Sequence, residues 1–217
     1  MNNRRQMGLA FIMYAEDQND RVPPNDVYLS QEFGETNAVW VRGWLWNGTD
    51  TPDNTNTFFL ATSHLAPYLN SLAVWKCPAD KSTSRHGGVD YPRVRSCSMN
   101  APVSGLPKHS RYTDTPFVIF EKLSDFNRGS PSEIYTLLDE REDTIGDAGF
   151  YMDLWDFDRP NDWDFTNWPA SYHQRAGAFT FADGHSAIQK WKDVRTCPPI
   201  ARSAKLSLPR ASPNNQD

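Results

Sequence analysis

No apolar run in this chain approaches the roughly 20 residues of a membrane span, and none follows a basic start as in a signal peptide. These absences leave either a cytosolic protein or one whose export segment is not in the sequence. No cluster of Lys and Arg stands out, the net charge is −5 and the pI is about 5.5, so the electrostatic footprint of a nucleic-acid binder is missing. No nucleophile motif is recognisable, and no enzyme activity is expected. The three cysteines, Cys77, Cys97 and Cys197, form no C-x-x-C pair, which speaks against a zinc ribbon or a thioredoxin-like site. No internal repeat is present. Apolar residues are sparse as well, at 38% of 217 residues. Aromatics supply much of that apolar area, and the 16 Pro and 12 Gly imply many turns and few long helices.

What is present divides the chain into four parts. Residues 2–18 have helical periodicity: Met7, Ala10, Phe11 and Tyr14 recur at i, i+3, i+4 and i+7, with Asn2, Arg4, Arg5 and Gln6 largely off that stripe. Asn19 and Asp20 end the pattern, and Pro23 and Pro24 force an extended exit. The helix opens at Met1 without a capping signal, as a longer helix cut at its N-terminus would. Residues 21–130 are loop-rich. Short strands are expected over 39–46, 74–80 and 94–100, a short helix near 65–69 capped by Thr62 or Ser63, and polar loops over 47–57 and 81–89.

Residues 131–202 are more regular. The run from Glu133 to Leu138 has strand length and ends in Asp139-Glu140. Ala176 to Ala182 and His185 to Trp191 are expected to form two strands joined by the two-residue turn Asp183-Gly184, a dipeptide suited to positive φ angles. That register sets Phe179 opposite Ile188 and Phe181 opposite Ser186, with Thr180, His185, Ala187 and Trp191 on the other face. Residues 203–217 form a polar tail, expected to be disordered.

Two features invite chemistry. A Cys77–Cys97 disulfide would close a short loop and suit an oxidising compartment; the alternative is three unrelated thiols. With the bridge as the expectation, Cys197 is left over. Residues 149–168 form an aromatic–acidic loop. Trp155 and Trp163 are candidates for stacking on a sugar or a partner, unless they fold back over the sheet. Asp156 and Asp158 alternate as calcium ligands do, but Arg159-Pro160 follows where an EF-hand needs its Gly. No cofactor is expected, calcium being the alternative.

Three segments together resemble a known family. They are the helix from Asn2 to Asp17 followed by Asp20-Arg21-Val22-Pro23-Pro24; Trp75-Lys76-Cys77-Pro78-Ala79-Asp80 with Ser98-Met99-Asn100 downstream; and His173 separated by nine residues from Asp183-Gly184. In order and spacing they resemble bacterial prepilin-type proteins with a processing-associated His-x(9)-Asp-Gly domain, relatives of type II secretion pseudopilins. The resemblance implies a pilin-like α+β fold, in which a long N-terminal helix packs on a C-terminal antiparallel sheet with long loops. It also implies a cleaved leader and a hydrophobic first half-helix that anchors the subunit in the inner membrane and packs the filament core. Residues 1–20 would then be the C-terminal half of that helix. The soluble domain would lie in the periplasm or at the cell surface, with other pseudopilin subunits and the secretion machinery as partners. The function implied is a structural subunit. The alternative is a surface binding module, with carbohydrate as a candidate ligand, displayed on the same kind of anchor.

Geometry separates the His and the Asp of that motif. At about 3.3 Å per residue, a strand over 176–182 puts His173 and Asp183 on the order of 25–30 Å apart. The turn accounts for Asp183 and Gly184, so His173 needs another partner. Asp139 and Glu140 are the candidates, provided their strand runs antiparallel beside 176–182. A contact there would be a structural hydrogen bond, a metal site or a catalytic pair, the hydrogen bond being the expectation.

Overall fold

In the computed structural model, residues 1–27, 30, 34–45, 51–104, 118–153, 164–200 and 217 are described. The architecture is α+β: one N-terminal helix lies against a five-stranded, mostly antiparallel sheet. Helix α1 spans Asn2–Asp17 and has no side-chain cap at its start. It ends where Asn19 and Asp20 take φ of 54° and 71°, and the Asp20 N–H closes on the Ala15 carbonyl at 2.8 Å. Its buried face holds Met7, Ala10 and Phe11 as the periodicity requires, together with Gly8 and Ala15. Arg4, expected off the stripe, is also fully buried. Position 4 lies three residues before Met7 and therefore on the same face, and its charge is met inside the protein as described below. Among the described residues no helix is long and apolar enough to cross a membrane.

Helix α2 is a single turn, Phe58–Ala61, and a 3-10 turn follows at Ala66–Tyr68 with no side-chain cap from Thr62 or Ser63. Strands β1 (Thr83–His86) and β2 (Val89–Pro92) form a separate hairpin in place of the expected polar loop. Gly87 and Gly88 both take positive φ there, as a primed two-residue turn requires. Its strands lack apolar alternation because they are largely exposed.

The main sheet contains β3 (Cys97–Asn100), β4 (Tyr135–Asp139), β5 (Gly149–Phe150), β8 (Ala176–Phe181) and β9 (Ser186–Lys190), in the order β5-β3-β4-β8-β9. All neighbours are antiparallel except β3 and β5. Strand β3, from the loop-rich region, therefore sits inside the sheet. Strands β6 (Met152–Asp153) and β7 (Asp164–Phe165) form a separate antiparallel pair among the described residues.

Two expected strands do not form. Residues 39–45 make one isolated bridge, Val39 to Asn25, and Leu72–Trp75 is a 3-10 turn. Both segments are held by aromatic burial instead: Trp40 and Trp75 stack with centroids 5.4 Å apart, neither exposed, and Trp40 Nε1 donates to the Ala148 carbonyl at 3.1 Å. The β8–β9 hairpin forms, but with a register one residue away from the expected one. Phe179 pairs with Ala187 and Thr180 with Ser186, leaving a three-residue loop, Ala182-Asp183-Gly184. Only Gly184 takes positive φ, 85°, and Phe181 and His185 close the loop through a 3.0 Å backbone bond. A single left-handed Gly at the end of a three-residue loop is the next most common hairpin solution.

The shift moves Trp191 to the Phe179 side of the sheet, where the rings lie 5.7 Å apart and Trp191 Nε1 donates to the Ala170 carbonyl. Thr180 faces α1: its hydroxyl donates to the Arg4 carbonyl at 2.9 Å, and a Cβ on Gly8 would lie 2.4 Å from Thr180 Cγ2. The small residue is what lets the helix sit this close to β8. Each face of the sheet has its own core. Met7, Phe11, Trp40, Trp75, Met99 and Leu137 pack on the helix side, and Leu138, Phe150, Phe179 and Trp191 on the other.

Candidate functional site

Successive strand residues point to opposite faces, so the last residue of β4, Asp139, and its neighbour Glu140 part company. Asp139 lies on the helix side, paired in register with Cys97. Beyond β4, the segment after β7 continues the pairing: Arg141 N–H donates to the Trp168 carbonyl, Ala170 N–H to the Asp139 carbonyl, and Glu140 bridges Pro169. This pairing carries the next few residues to the Asp139 end of the strand. There a tight turn presents His173. The His173 N–H donates to the Ala176 carbonyl at 3.1 Å, and Arg175 N–H to the Ser171 carbonyl at 3.3 Å. Gln174 and Arg175 take φ of 54° and 65°. Such conformations cost a non-Gly residue roughly 1–2 kcal/mol.

Cys77 arrives from a third segment. Its N–H donates to Ser96 Oγ at 2.7 Å, and Asp80 N–H closes a turn on its carbonyl at 3.0 Å. The thiol then meets the imidazole, with Cys77 Sγ 3.2 Å from His173 Nε2. One donor atom from each of Cys77, Asp139 and His173 lies within 4.8 Å of the others; the first two residues are buried and His173 is half-buried. Arg4 Nε stands 3.4 Å from Asp139 Oδ1, and Arg4 Nη2 donates to the Val74 carbonyl at 3.0 Å.

Burial pushes the Asp139 carboxyl upward, opposed by Arg4, His173 and Cys77. Burial, and then the Asp139 charge, also push the Cys77 thiol up. A raised thiol is the opposite of an activated nucleophile, which needs an environment that stabilises thiolate. What the three donors offer is a metal-ligating set or a buried hydrogen-bonded cluster.

Glu140, the other carboxylate considered for His173, faces the opposite side of the sheet. Asn167 Nδ2 donates to it at 2.7 Å and Thr144 Oγ1 at 3.2 Å, and the Ser98 hydroxyl bonds its other oxygen. Burial pushes its pKa up to about 8, outweighing Ser98 and Asn167, which favour the charged form. Asp183 is far from this chemistry in role: its carboxylate accepts the His185 backbone N–H at 3.0 Å and lies 2.6 Å from His185 Nδ1, in the exposed turn with Gly184.

The expected Cys77–Cys97 disulfide is absent. Both are free thiols that turn to different partners, Cys77 to His173 and Cys97 Sγ to the Trp75 carbonyl at 3.5 Å. Cys197 is also free. Trp155, Asp156, Asp158 and Trp163, the candidate ligand loop, lie outside the described residues. Sequence reasoning missed Arg4 and the role of Cys77. The helical spacing of Arg4 from Met7 could have revealed the first; the 96-residue separation of Cys77 and His173 leaves no local pattern for the second.

The chain was compared with protein-family models, curated proteins and solved structures, and none of them matches.

Proposed function

We propose that this chain is the soluble domain of a structural subunit in a pilus-like assembly, of the type II secretion pseudopilus kind, with a pilin-like arrangement of helix on sheet. Its partners would be other pseudopilin subunits and the secretion machinery, and its place the periplasm or cell surface beside an inner-membrane anchor. The motif resemblance supports this reading. The observation that carries it is the double character of α1. One face is locked onto β4 and β8 through Arg4 and Gly8, while Leu9 and Met13, one turn apart, are 50% and 48% exposed on another. Residues four apart share a helix face, so the pair makes a small apolar ridge suited to the helix of a neighbouring subunit.

The test is cross-linking in cells that produce the native gene product. Leu9→Cys and Met13→Cys variants should give disulfide-linked dimers under oxidation that the wild type does not give, and Leu9→Asp combined with Met13→Cys should give fewer of them. Linked dimers absent from both variants, with the protein folded and abundant, would reject the proposal.

A further inference from the structure

We infer that Cys77, Asp139 and His173 form a binding site for a borderline-soft divalent metal ion, with zinc the best match. The site is independent of the assembly role proposed for α1.

Three separate segments converge, delivering one sulfur, one nitrogen and one oxygen to a region in which all lie within 4.8 Å. These are the donor types zinc takes, and three protein ligands with a fourth position left open are the pattern of zinc sites that admit water or another ligand. Bond lengths of about 2.3 Å to sulfur and about 2.0–2.1 Å to nitrogen imply a tetrahedral S···N edge of roughly 3.5 Å. The Cys77 Sγ to His173 Nε2 distance is 3.2 Å, within a few tenths of an ångström of that edge, and an Asp139 oxygen lies within 4.8 Å of both atoms.

Ligand softness decides the metal. Thiolate and imidazole favour zinc and its neighbours, while calcium and magnesium need a shell of oxygens that one carboxylate does not supply. Binding would displace the Cys77 thiol proton to solvent and form the sulfur–zinc bond. The thiolate and the Asp139 carboxylate then balance the two charges of the ion, and Arg4 remains the neighbour that orients Asp139, as partners of metal-binding carboxylates do.

Two further observations set this cluster apart from an ordinary buried hydrogen bond. The turn that presents His173 places two consecutive non-Gly residues, Gln174 and Arg175, in the left-handed region. Such strain persists where surrounding structure over-determines it, and it gathers at functional sites. In addition, Asp139 Oδ1 is fully buried and accepts no hydrogen bond, although Arg4 is its ionic neighbour. The half-buried His173 is the side of the cluster nearest solvent, which gives an ion a way in.

Cobalt(II) titration of the whole, reduced chain tests the site, because a cobalt–thiolate bond produces an intense charge-transfer band. One equivalent of cobalt should generate the band, and zinc should displace it. Cys77→Ser should abolish it and His173→Ala should weaken cobalt binding at least tenfold, while Cys97→Ser and Cys197→Ser should leave both unchanged. Circular dichroism verifies folding of each variant. Should Cys77→Ser fail to fold, the wild-type chain and His173→Ala, whose ring is half-buried, decide the outcome. No band in the folded wild-type chain, a band that survives Cys77→Ser, or unchanged affinity in His173→Ala would overturn the assignment.

Discussion

The two faces of the sheet at the end of β4 treat a buried carboxyl group in opposite ways. On the helix side Asp139 is met by ionisable groups: Arg4 at 3.4 Å, with Cys77 and His173 close by. On the far side Glu140 is met by neutral donors from Ser98, Asn167 and Thr144, and burial raises its pKa to about 8. Removing a charge from water costs several kcal/mol unless a counter-charge or a proton cancels it. One face offsets part of that cost with a counter-charge, and on the other burial outweighs the neighbours and the proton is retained. Adjacent residues in sequence therefore have different chemistry, because strand alternation sends them into different surroundings.

The strongest way to break this contrast is to remove the counter-charge. Arg4→Met leaves Asp139 buried with its main cationic neighbour gone. The expected loss of stability is about 3–5 kcal/mol, the usual cost of stranding one member of a buried pair, read as a shift in the urea midpoint. The double variant Arg4→Met, Asp139→Asn should recover most of it, because a neutral pair needs no counter-charge. Equal loss in the single and double variants would mean that Arg4 acts through packing alone.

An effect spread over pH distinguishes the Glu140 face. The folded group titrates near 8 and its ordinary value is 4.5. Between these values the folded state holds a proton that the unfolded chain has released. The protonated carboxyl thus stabilises the fold fully below about pH 4.5, and that stabilisation is lost as pH rises toward 8. The slope for one proton is at most about 1.4 kcal/mol per pH unit. Stability of the wild type should fall relative to Glu140→Gln across this window, and parallel curves would place the titration elsewhere.

Much of the frame was legible in the sequence, and the reasons for the rest differ from element to element. The periodicity of Met7, Ala10 and Phe11 gave α1, and the apolar run before Asp139 gave β4, because both signals are local. Asp183-Gly184 announced the final hairpin but not its register, since the same dipeptide serves two- and three-residue loops and Ala182 joined the loop. The β1–β2 hairpin had the Gly87-Gly88 signal without apolar strands to flank it. Trp40 on Trp75, and Cys77 on His173, join distant parts of the chain, and no spacing rule reports such contacts. Strand length and antiparallel pairing did single out Asp139 or Glu140 as neighbours for His173. The structure brings Asp139 there with Cys77, and sends Glu140 to the other face.

The helix side can also be loosened sterically. Gly to Ala in a helix ordinarily gains about 1 kcal/mol. At Gly8 the new Cβ would lie 2.4 Å from Thr180 Cγ2, so the helix must lift from β8. Overpacking of this kind costs about 1–3 kcal/mol, and Gly8→Ala should be destabilising by up to about 2 kcal/mol net. Adding Thr180→Ser removes the opposing methyl and keeps the hydroxyl that donates to Arg4. That double variant should regain most of the loss in thermal denaturation; no rescue would place the strain at the Gly184 carbonyl, 3.3 Å from the same Cβ.

The smallest effect belongs to the exposed end of the same hairpin, and it bears on the His-x(9)-Asp-Gly motif itself. His173 sits in the Cys77–Asp139 cluster, whereas Asp183, among the described residues, bonds its local neighbour His185, at a site open to solvent. If the motif were one chemical unit, changing Asp183 would disturb both ends. The structure gives Asp183 a local task, accepting the His185 backbone N–H in a loop whose special angle is carried by Gly184. Asn can accept the same bond, and exposed ionic contacts contribute little. Asp183→Asn should therefore change stability by no more than about 0.5 kcal/mol and leave the His173 ring resonances unshifted in NMR spectra. His173→Ala should in turn leave the resonances of His185 in place. Movement of either signal in response to the distant substitution would show that β8 couples the two ends, and would reunite the motif.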